Sequence, residues 1–402
     1  MDYLLLEKIQ MENKKKICIF GAGRIGKTWA YDLLTCAGFS IDCYCDNKIG
    51  AGREIIAGIK TVDFHTLCEV KEQYLVFIAV NEKVQDEIRI QLEENGITNS
   101  IIMGFLFLQE FCESVLSSQD VEVIEHYKSI VDDEEFLKKQ FKSLLGYELN
   151  LENPKTYNAK LQWLKLYDRN PMYTKMVDKY EFKKFIIQTL GEEYVIPTLG
   201  VWDSMEEIEW DKLPEQFVLK CTHDSGSVIV CKDKNEFDVN NACKILRKHL
   251  KRNYFWVARE WPYRDVKPRI MAEEYMEDGG ELRDYKFFAF SGRALLLFVA
   301  TERGNKKTET RFDFFDRDYQ HLDIINGHPN ADNLPIKPHK YEEMLCITEK
   351  IAQGIPHVRV DFYEVAGQIY IGEMTFYHWA GLVKFDPEEW DYKLGGMLEL
   401  SN

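Results

Sequence analysis

The chain has 402 residues, 45% of them hydrophobic and 13% aromatic, which suits two or three globular domains of roughly 150 residues each and excludes a disordered protein. A formal net charge of -16 speaks against nucleic acid as a partner, since a phosphate backbone calls for a basic surface. The ten cysteines are scattered without any C-x-x-C, so reduced thiols fit better than a zinc ribbon or a disulfide frame. No apolar run reaches the roughly 18 residues of a membrane helix and no cleavable leader is visible, so the expectation is a soluble, cytoplasmic chain without membrane insertion.

The apolar strand Ile17-Cys-Ile-Phe20 leads into Gly21-Ala-Gly-Arg-Ile-Gly-Lys-Thr28, and helical spacing follows from Trp29 to Leu34. This octapeptide satisfies both G-x-x-x-x-G-K-[ST], a loop for ATP phosphates, and G-x-G-x-x-G, a turn for a dinucleotide or nucleotide-sugar. A second strand over 39–45 ends at Asp46, twenty residues after Gly26, where a Rossmann-type fold uses an acid on a ribose hydroxyl. The phosphate-loop reading needs an apolar strand ending in Asp to help hold magnesium, and Tyr74–Val80 ends in Asn81 instead, so it fails there. Gly21, Gly23, Gly26 and Asp46 are thus the candidate nucleotide contacts, with a module kept for packing or oligomerisation as the open alternative. Strands near 17–20, 39–45, 74–80 and 100–103 make one mononucleotide half, a Rossmann-like half domain. The run Asp46-Asn-Lys-Ile-Gly-Ala-Gly52 with Gly58-Ile-Lys resembles the N-terminal domain of sugar acetyltransferases of the PglD type over roughly residues 14–105, which implies contact with a nucleotide-sugar.

Beyond residue 105 the pattern turns helical, and Asp132-Asp-Glu-Glu places acids ahead of Lys138 and Lys139, as the helix dipole favours. A helix begins at Asp178-Lys-Tyr-Glu. Phe217-Val-Leu-Lys220 reads as a strand ending in a lysine, and Thr222-His-Asp-Ser-Gly-Ser-Val-Ile-Val230 as a small-residue loop returning to a strand. Arg269-Ile-Met-Ala-Glu-Glu-Tyr-Met276 is an apolar strand ending in two carboxylates, and after Gly279-Gly280 comes the strand Asp284–Phe290. Val358–Tyr363 and Ile369–Thr375 form a hairpin about Gly367. Alternation puts Arg359, Asp361 and Tyr363 on one face of its first strand, and Glu373 and Thr375 on one face of the second. Two carboxylates from adjacent strands can hold magnesium through hard oxygen ligands, and Arg359 can meet a carboxylate or phosphate bidentately. Asp316-Arg-Asp318 is a D-x-D, which in a glycosyltransferase would hold a metal, but the alternation around it reads as a hairpin tip.

Seven segments in order, PKTYNAKLQWLKLYD, VDKYEFKKFI, FVLKCTHDSGSVIV, EEYM, DYKFFAF, VRVDFYEVAGQIYIGEMTFY and FDPEEWDYKLG, resemble the TupA-like ATP-grasp family linked to teichuronopeptide and capsule assembly. The resemblance implies an α+β ATP-grasp domain over 166–402, joined by a helical connector at 111–165 to the Rossmann-like domain at 1–110, in an α/β protein. It implies ATP and Mg2+, with Lys179 and Lys220 on the phosphates, Ser225 and Gly226 in the hairpin over them, and Glu273, Glu274, Tyr275 and Met276 at the adenine hinge. Asp361, Glu373 and Thr375 become the metal set, and Arg359, Lys286 and His223 the catalytic candidates. Thr375 stands where many ATP-grasp ligases have Asn, and His378-Trp379-Ala380-Gly381 replaces a small or proline-rich turn. The implied activity is a carboxylate–amine ligase that makes an acyl phosphate and joins an amino acid or amine to a uronic acid of a surface polysaccharide. An ATP-grasp phosphotransferase and a glycosyltransferase are the alternatives.

Overall fold

The computed structural model describes residues 1–48, 55–56, 58–277, 282–303 and 309–400, so the run 49–52 and the pair Gly279-Gly280 quoted above lie outside the described residues. The chain divides into two units, Met1–Leu149 and Asn150–Asn402.

In the first unit, strands β1 (Lys16–Phe20), β2 (Ile41–Cys45), β3 (Ile55–Ile56), β4 (Ile59–Val62), β5 (Tyr74–Ile78) and β6 (Ser100–Ile102) form one sheet in the order β3-β4-β2-β1-β5-β6. All neighbours run parallel except β3, which turns back on β4. The central strands are apolar without alternation, as strands covered on both faces must be; Ile17, Cys18, Ile19 and Phe20 are all buried. From β1 the chain builds outward in both directions, so the crevice between β1 and β5 opens at their carboxyl ends, where the glycine loop lies. Helices Phe105–Ser117, Val121–His126, Lys128–Val131 and Asp133–Leu145 belong to this unit. The last is capped by Asp132, which accepts from the Glu135 N–H at 3.0 Å, and is closed by Gly146 in a left-handed conformation at φ 90°.

The second unit holds two sheets. Strands β7 (Thr198–Trp202), β8 (Phe217–Cys221), β9 (Ile229–Cys231) and β10 (Ile270–Glu274) make a four-stranded sheet in the order β7-β10-β8-β9. The six-stranded sheet, ordered β14-β13-β12-β11-β15-β16, is built from β11 (Asp284–Phe290), β12 (Arg293–Thr301), β13 (Arg311–Asp316), β14 (His321–Leu322), β15 (His357–Val365) and β16 (Gln368–Thr375). Its core is a continuous aromatic and β-branched layer that includes Phe287, Phe288, Phe298, Val358, Val360 and Phe362. Every residue of β11 is buried, so Asp284 and Lys286 are charges set into a core strand and must find partners there. Asp316-Arg-Asp318 is the tip of the β13–β14 hairpin: Asp316 Oδ1 accepts the backbone N–H groups of Asp318 and Gln320 at 2.9 and 2.8 Å. Helix Tyr157–Tyr167, capped by Thr156, buries Gln162 and Lys165 in this unit. Among the described residues no helix is long and apolar enough to cross a membrane.

Candidate active site

On the four-stranded sheet, β8 and β10 run antiparallel with Lys220 opposite Met271 and Val218 opposite Glu273, so these four side chains share one face. Glu273 is 3% exposed, and each of its oxygens holds a cation: Oε2 pairs with Lys220, and Oε1 with Lys183 at 2.5 Å. Lys183 comes from helix Lys179–Thr189 and also donates to the Ile196 carbonyl and to Thr198 Oγ1. Burial raises the Glu273 carboxyl, but Lys220 and Lys183 outweigh it and hold the group below the usual carboxylate range. Burial lowers Lys183 against the pull of Glu273. Glu274, at the end of the strand, is exposed and with Tyr275 lines an open cavity of about 860 Å³ that Lys232 and Gln216 also border. Met276 follows, partly buried.

On the six-stranded sheet, β15 lies between β11 and β16, with Asp361 opposite Lys286 on one side and Glu373 on the other, and Arg359 opposite Thr375. Arg359 grips Asp361 with both arms, Nε to Oδ1 and Nη2 to Oδ2, each at 2.7 Å. Its Nη2 also donates to Thr375 Oγ1 at 3.0 Å, and Nη1 donates to His378 Nδ1 at 2.9 Å. Lys286 pairs with Asp361 and, at 3.0 Å, with Asp284, which also meets Arg303. Burial would raise the Asp361 carboxyl, but Arg359 and Lys286 hold it far below its ordinary value. Burial lowers Lys286 despite Asp361. Glu373 is 44% exposed and lies 3.7 Å from Arg359 Nη2. The two clusters lie toward a common residue: the hydroxyl of Tyr363 on β15, raised chiefly by burial, also feels Glu373 and Asp361 from its own sheet and Glu273 from the other.

The small-residue loop 222–227 is held from below. Lys179 donates its N–H to the Thr222 carbonyl at 3.0 Å and its ammonium to the Asp224 carbonyl. Asp224 is buried, accepts from Ser227 Oγ at 2.7 Å and is bonded to His249. His223, a catalytic candidate in the sequence, is buried with Nε2 donating to the carbonyls of Arg252 and His249 at 3.0 and 3.2 Å, so its visible work is to pin the loop to helix Val239–Leu250. Ser225 and Gly226 are exposed at the tip, Gly226 at φ +93° with open space around it. Lys183 is the charged residue the sequence reading passed over in favour of Lys179. Its helical phase, beside buried Phe182 and Ile186, was the available signal.

These residues fit ATP. Two ammoniums share one carboxylate at β8 and β10, which leaves a net cation facing the cleft. Beside them Val218 and Val230 are cross-strand partners, and Val230 and Val228 are 45% and 58% exposed, a bare apolar surface of the kind a purine covers. A magnesium ion also fits, through the phosphates. Asp361 spends three of its roughly four lone-pair sites on Arg359 and Lys286, which leaves one, and Glu373 is open beside it. Among the described residues no group of three or more His, Cys, Asp or Glu could hold a metal alone, so the remaining ligands would be phosphate oxygens and water, as magnesium favours.

In the first unit the glycines serve a tight turn. A Cβ on Gly26 would collide with the Gly21 carbonyl, and one on Gly21, at φ +119°, would stand 2.5 Å from the Ala79 carbonyl. Gly23 faces open space. Asp46 is turned onto the loop: Oδ2 accepts the Ala22 N–H and Oδ1 the Lys48 N–H, each at 2.9 Å.

Two sheets facing one cleft, with lysines from both and a strand pair carrying Arg, Asp and Glu, define an ATP-grasp enzyme. The chain belongs to the TupA-like ATP-grasp family, whose model matches residues 159–399, more than half of its length. Solved structures similar to it include an L-amino acid ligase from Bacillus licheniformis, with 12% identity and a TM-score of 0.33 over 92% of this chain and 69% of that one. D-alanine–D-alanine ligase from Bacillus anthracis complexed with ATP is similar at 13% identity and a TM-score of 0.30, covering 90% and 86%. N5-carboxyaminoimidazole ribonucleotide synthetase from Thermus thermophilus is similar at 12% identity and a TM-score of 0.29, covering 90% and 73%. No curated protein matches the sequence.

Proposed function

We propose that the chain is an ATP-dependent carboxylate–amine ligase that joins an amino acid or amine to a uronic acid of a cell-surface polysaccharide or its precursor, in the cytoplasm. The observation that carries this reading is the facing of Lys183, Lys220 and Glu273 by Lys286, Arg359, Asp361 and Glu373 across one cleft. ATP, as substrate, supplies the γ-phosphoryl group that turns the acceptor carboxylate into an acyl phosphate. Magnesium would be held by Glu373 and the open lone pair of Asp361, neutralising charge on the phosphates. Lys220 orients the phosphates as a compact cation on a long stem, while Lys183, its three donors committed to Glu273, the Ile196 carbonyl and Thr198, adds its charge from behind. Lys286 and Arg359 face the oxygen that becomes negative when the amine attacks the acyl carbon, and their fixed pairing makes the field preorganised. Phosphate then leaves, the amine loses a proton, and the amide remains.

Thr375 and His378 support Arg359 in this scheme. At the first unit, we propose a nucleotide-sugar as ligand, in a PglD-like role; it would enter on the open side of Gly23 and compete with Asp46 for the Ala22 N–H.

The test is release of ADP and phosphate from Mg-ATP across a matrix of uronic acid sugars and amines, with product masses read in parallel. A gain equal to the amine less water is the expected product. A phosphorylated sugar formed without any amine would refute the ligase in favour of a kinase. Glu373→Ala, at a half-exposed position, is expected to keep the fold and lower the rate by about 10²-fold or more, with a raised magnesium requirement.

A further inference from the structure

We propose that His378 is the positioning residue of Arg359: its Nδ1 takes one guanidinium N–H and thereby directs the last free one into the cleft, toward the reacting oxygen. The inference rests on the ligase reading for what that oxygen is, and on the following geometry for everything else.

A guanidinium has five N–H donors. In Arg359, Nε serves Asp361, Nη2 serves Asp361 and Thr375, and one hydrogen of Nη1 serves His378 at 2.9 Å. Among the described residues these bonds leave one Nη1 hydrogen. Without the imidazole acceptor Nη1 would present two, one of them buried and unmatched, and the planar group would tilt to satisfy it.

His378 is built to be an acceptor. Asn326 Nδ2 donates to the Lys384 and Val383 carbonyls at 3.0 and 3.4 Å, which turns its Oδ1 toward His378 Nε2 at 2.9 Å. An oxygen there requires the proton on Nε2 and leaves Nδ1 with a lone pair. Burial, with Arg359 beside it, keeps the ring neutral, well below the ordinary histidine range. A neutral acceptor fixes the guanidinium without cancelling its charge, as a further carboxylate would.

The backbone is bent to deliver this ring. Trp379, Ala380 and Gly381 have φ of 49, 56 and 61°, three left-handed residues in succession, two of which carry a Cβ. That conformation is held from helix Tyr157–Tyr167. Gln162 Nε2 donates to the Ala380 and Gly381 carbonyls at 3.0 and 2.8 Å, and the Lys165 ammonium to the Ala380 carbonyl at 2.8 Å. Both side chains are fully buried. Strain fixed by buried polar groups directly after the strand that carries Glu373 and Thr375 marks a turn kept for where it places a side chain.

The experiment compares wild type with His378→Phe, which keeps the ring packing on Phe288 and Phe298 (5.0 and 5.4 Å between centroids) but removes the acceptor, and with His378→Asn, whose Oδ1 restores it. Amine-dependent kcat is expected to fall about tenfold or more in His378→Phe, with KM for ATP within about twofold, and to recover within about threefold of wild type in His378→Asn. Unchanged kcat in His378→Phe, or equal losses in both variants with equal losses of thermal stability, would overturn the proposal. Crystal structures of the three proteins form an arm that needs no acceptor. A tilted guanidinium in the Phe variant alone is the expected result, and an unmoved one sinks the inference. A wild type silent with every acceptor counts against the ligase reading, while the crystallographic arm still decides on His378.

Discussion

Replacing Glu273 by Gln keeps the shape of the side chain and removes the one negative charge that two lysines share. The carboxylate is 3% exposed, and the side chains of Lys183 and Lys220 are 8% and 14% exposed, so neither ammonium can turn fully to water. Breaking a buried ion pair by removing one partner costs about 3–5 kcal/mol, and the edge of Lys220 open to the cleft places this case near 3. At about 2–4 °C per kcal/mol for a unit of this size, melting should fall by roughly 6–12 °C. ATP should then act in the opposite sense. With a neutral amide in place of the carboxylate the triphosphate meets two unpaired ammoniums, so it should stabilise the variant more than wild type, where a hundredfold excess over Kd contributes about 2.7 kcal/mol. The assay is thermal unfolding with and without Mg-ATP, following the transition that the nucleotide moves, because the two units need not melt together. A Glu273→Gln protein that melts within about a degree of wild type, or one in which the ATP shift shrinks, would refute this account of the cluster.

Other outcomes follow from the same structure. His357 is buried, with Nδ1 donating to the Ala289 carbonyl and Nε2 meeting the Tyr157 hydroxyl, and burial pushes it down to about 3. Its contribution to stability is whole above the unfolded value of about 6.5 and is lost as pH falls toward the folded one, on the order of 2 kcal/mol by pH 5; His357→Gln should flatten the fall in melting temperature between about pH 7 and 5 by that part, and an unaltered slope would argue against it. Gly26→Ala drives a Cβ into the Gly21 carbonyl and should lower the stability of the first unit by about 3 kcal/mol or more, whereas Gly23→Ala, in open space, should cost under about 1; calorimetric melting of the full chain separates them. Asp178 caps helix Lys179–Thr189 through the N–H groups of Tyr180 and Glu181 and takes Arg269 at 2.6 Å, so Asp178→Ala should cost about 3 kcal/mol by chemical denaturation, and a loss under about 1 would mean that the cap and the ion pair are idle.

Many strands of both units were legible where a glycine, a charge or a turn marked their ends, but β7, interrupted by Gly200, and β12 were not, since an unbroken apolar run such as Ala294–Ala300 cannot be told from a buried helix segment by periodicity. The hairpin of β15 and β16 was readable in its turn and in the faces its side chains share; its facing pairs were hidden by a register shift between Asp361 and Phe362, which sets Glu373 rather than Gly372 opposite Asp361. The short strand β4 was not legible, because Ile59-Lys-Thr-Val62 offers four residues and only two apolar ones. Lys183 was harder than Lys179 because three lysines in one helix look alike until the buried face is known. The imidazole of His223 reads like a phosphate ligand in a Ser- and Gly-rich loop, and only the fold shows its Nε2 committed to two carbonyls. Partners more than two hundred residues away, such as Gln162 for Ala380, leave no local signal at all.

That last kind of contact sets an order of assembly. Helix Tyr157–Tyr167, the first of its unit, is joined to the chain's last described stretch through Asn158 to Asp391, Lys160 to the Leu398 carbonyl, and Gln162 and Lys165 to the turn after β16. During synthesis the four-stranded sheet can form early, but Arg359 gains its full set of partners only after residues 378–398 have been made and have folded back across the unit. An unfinished chain therefore carries the Lys183–Glu273–Lys220 cluster before the Arg359 cluster opposite it is complete.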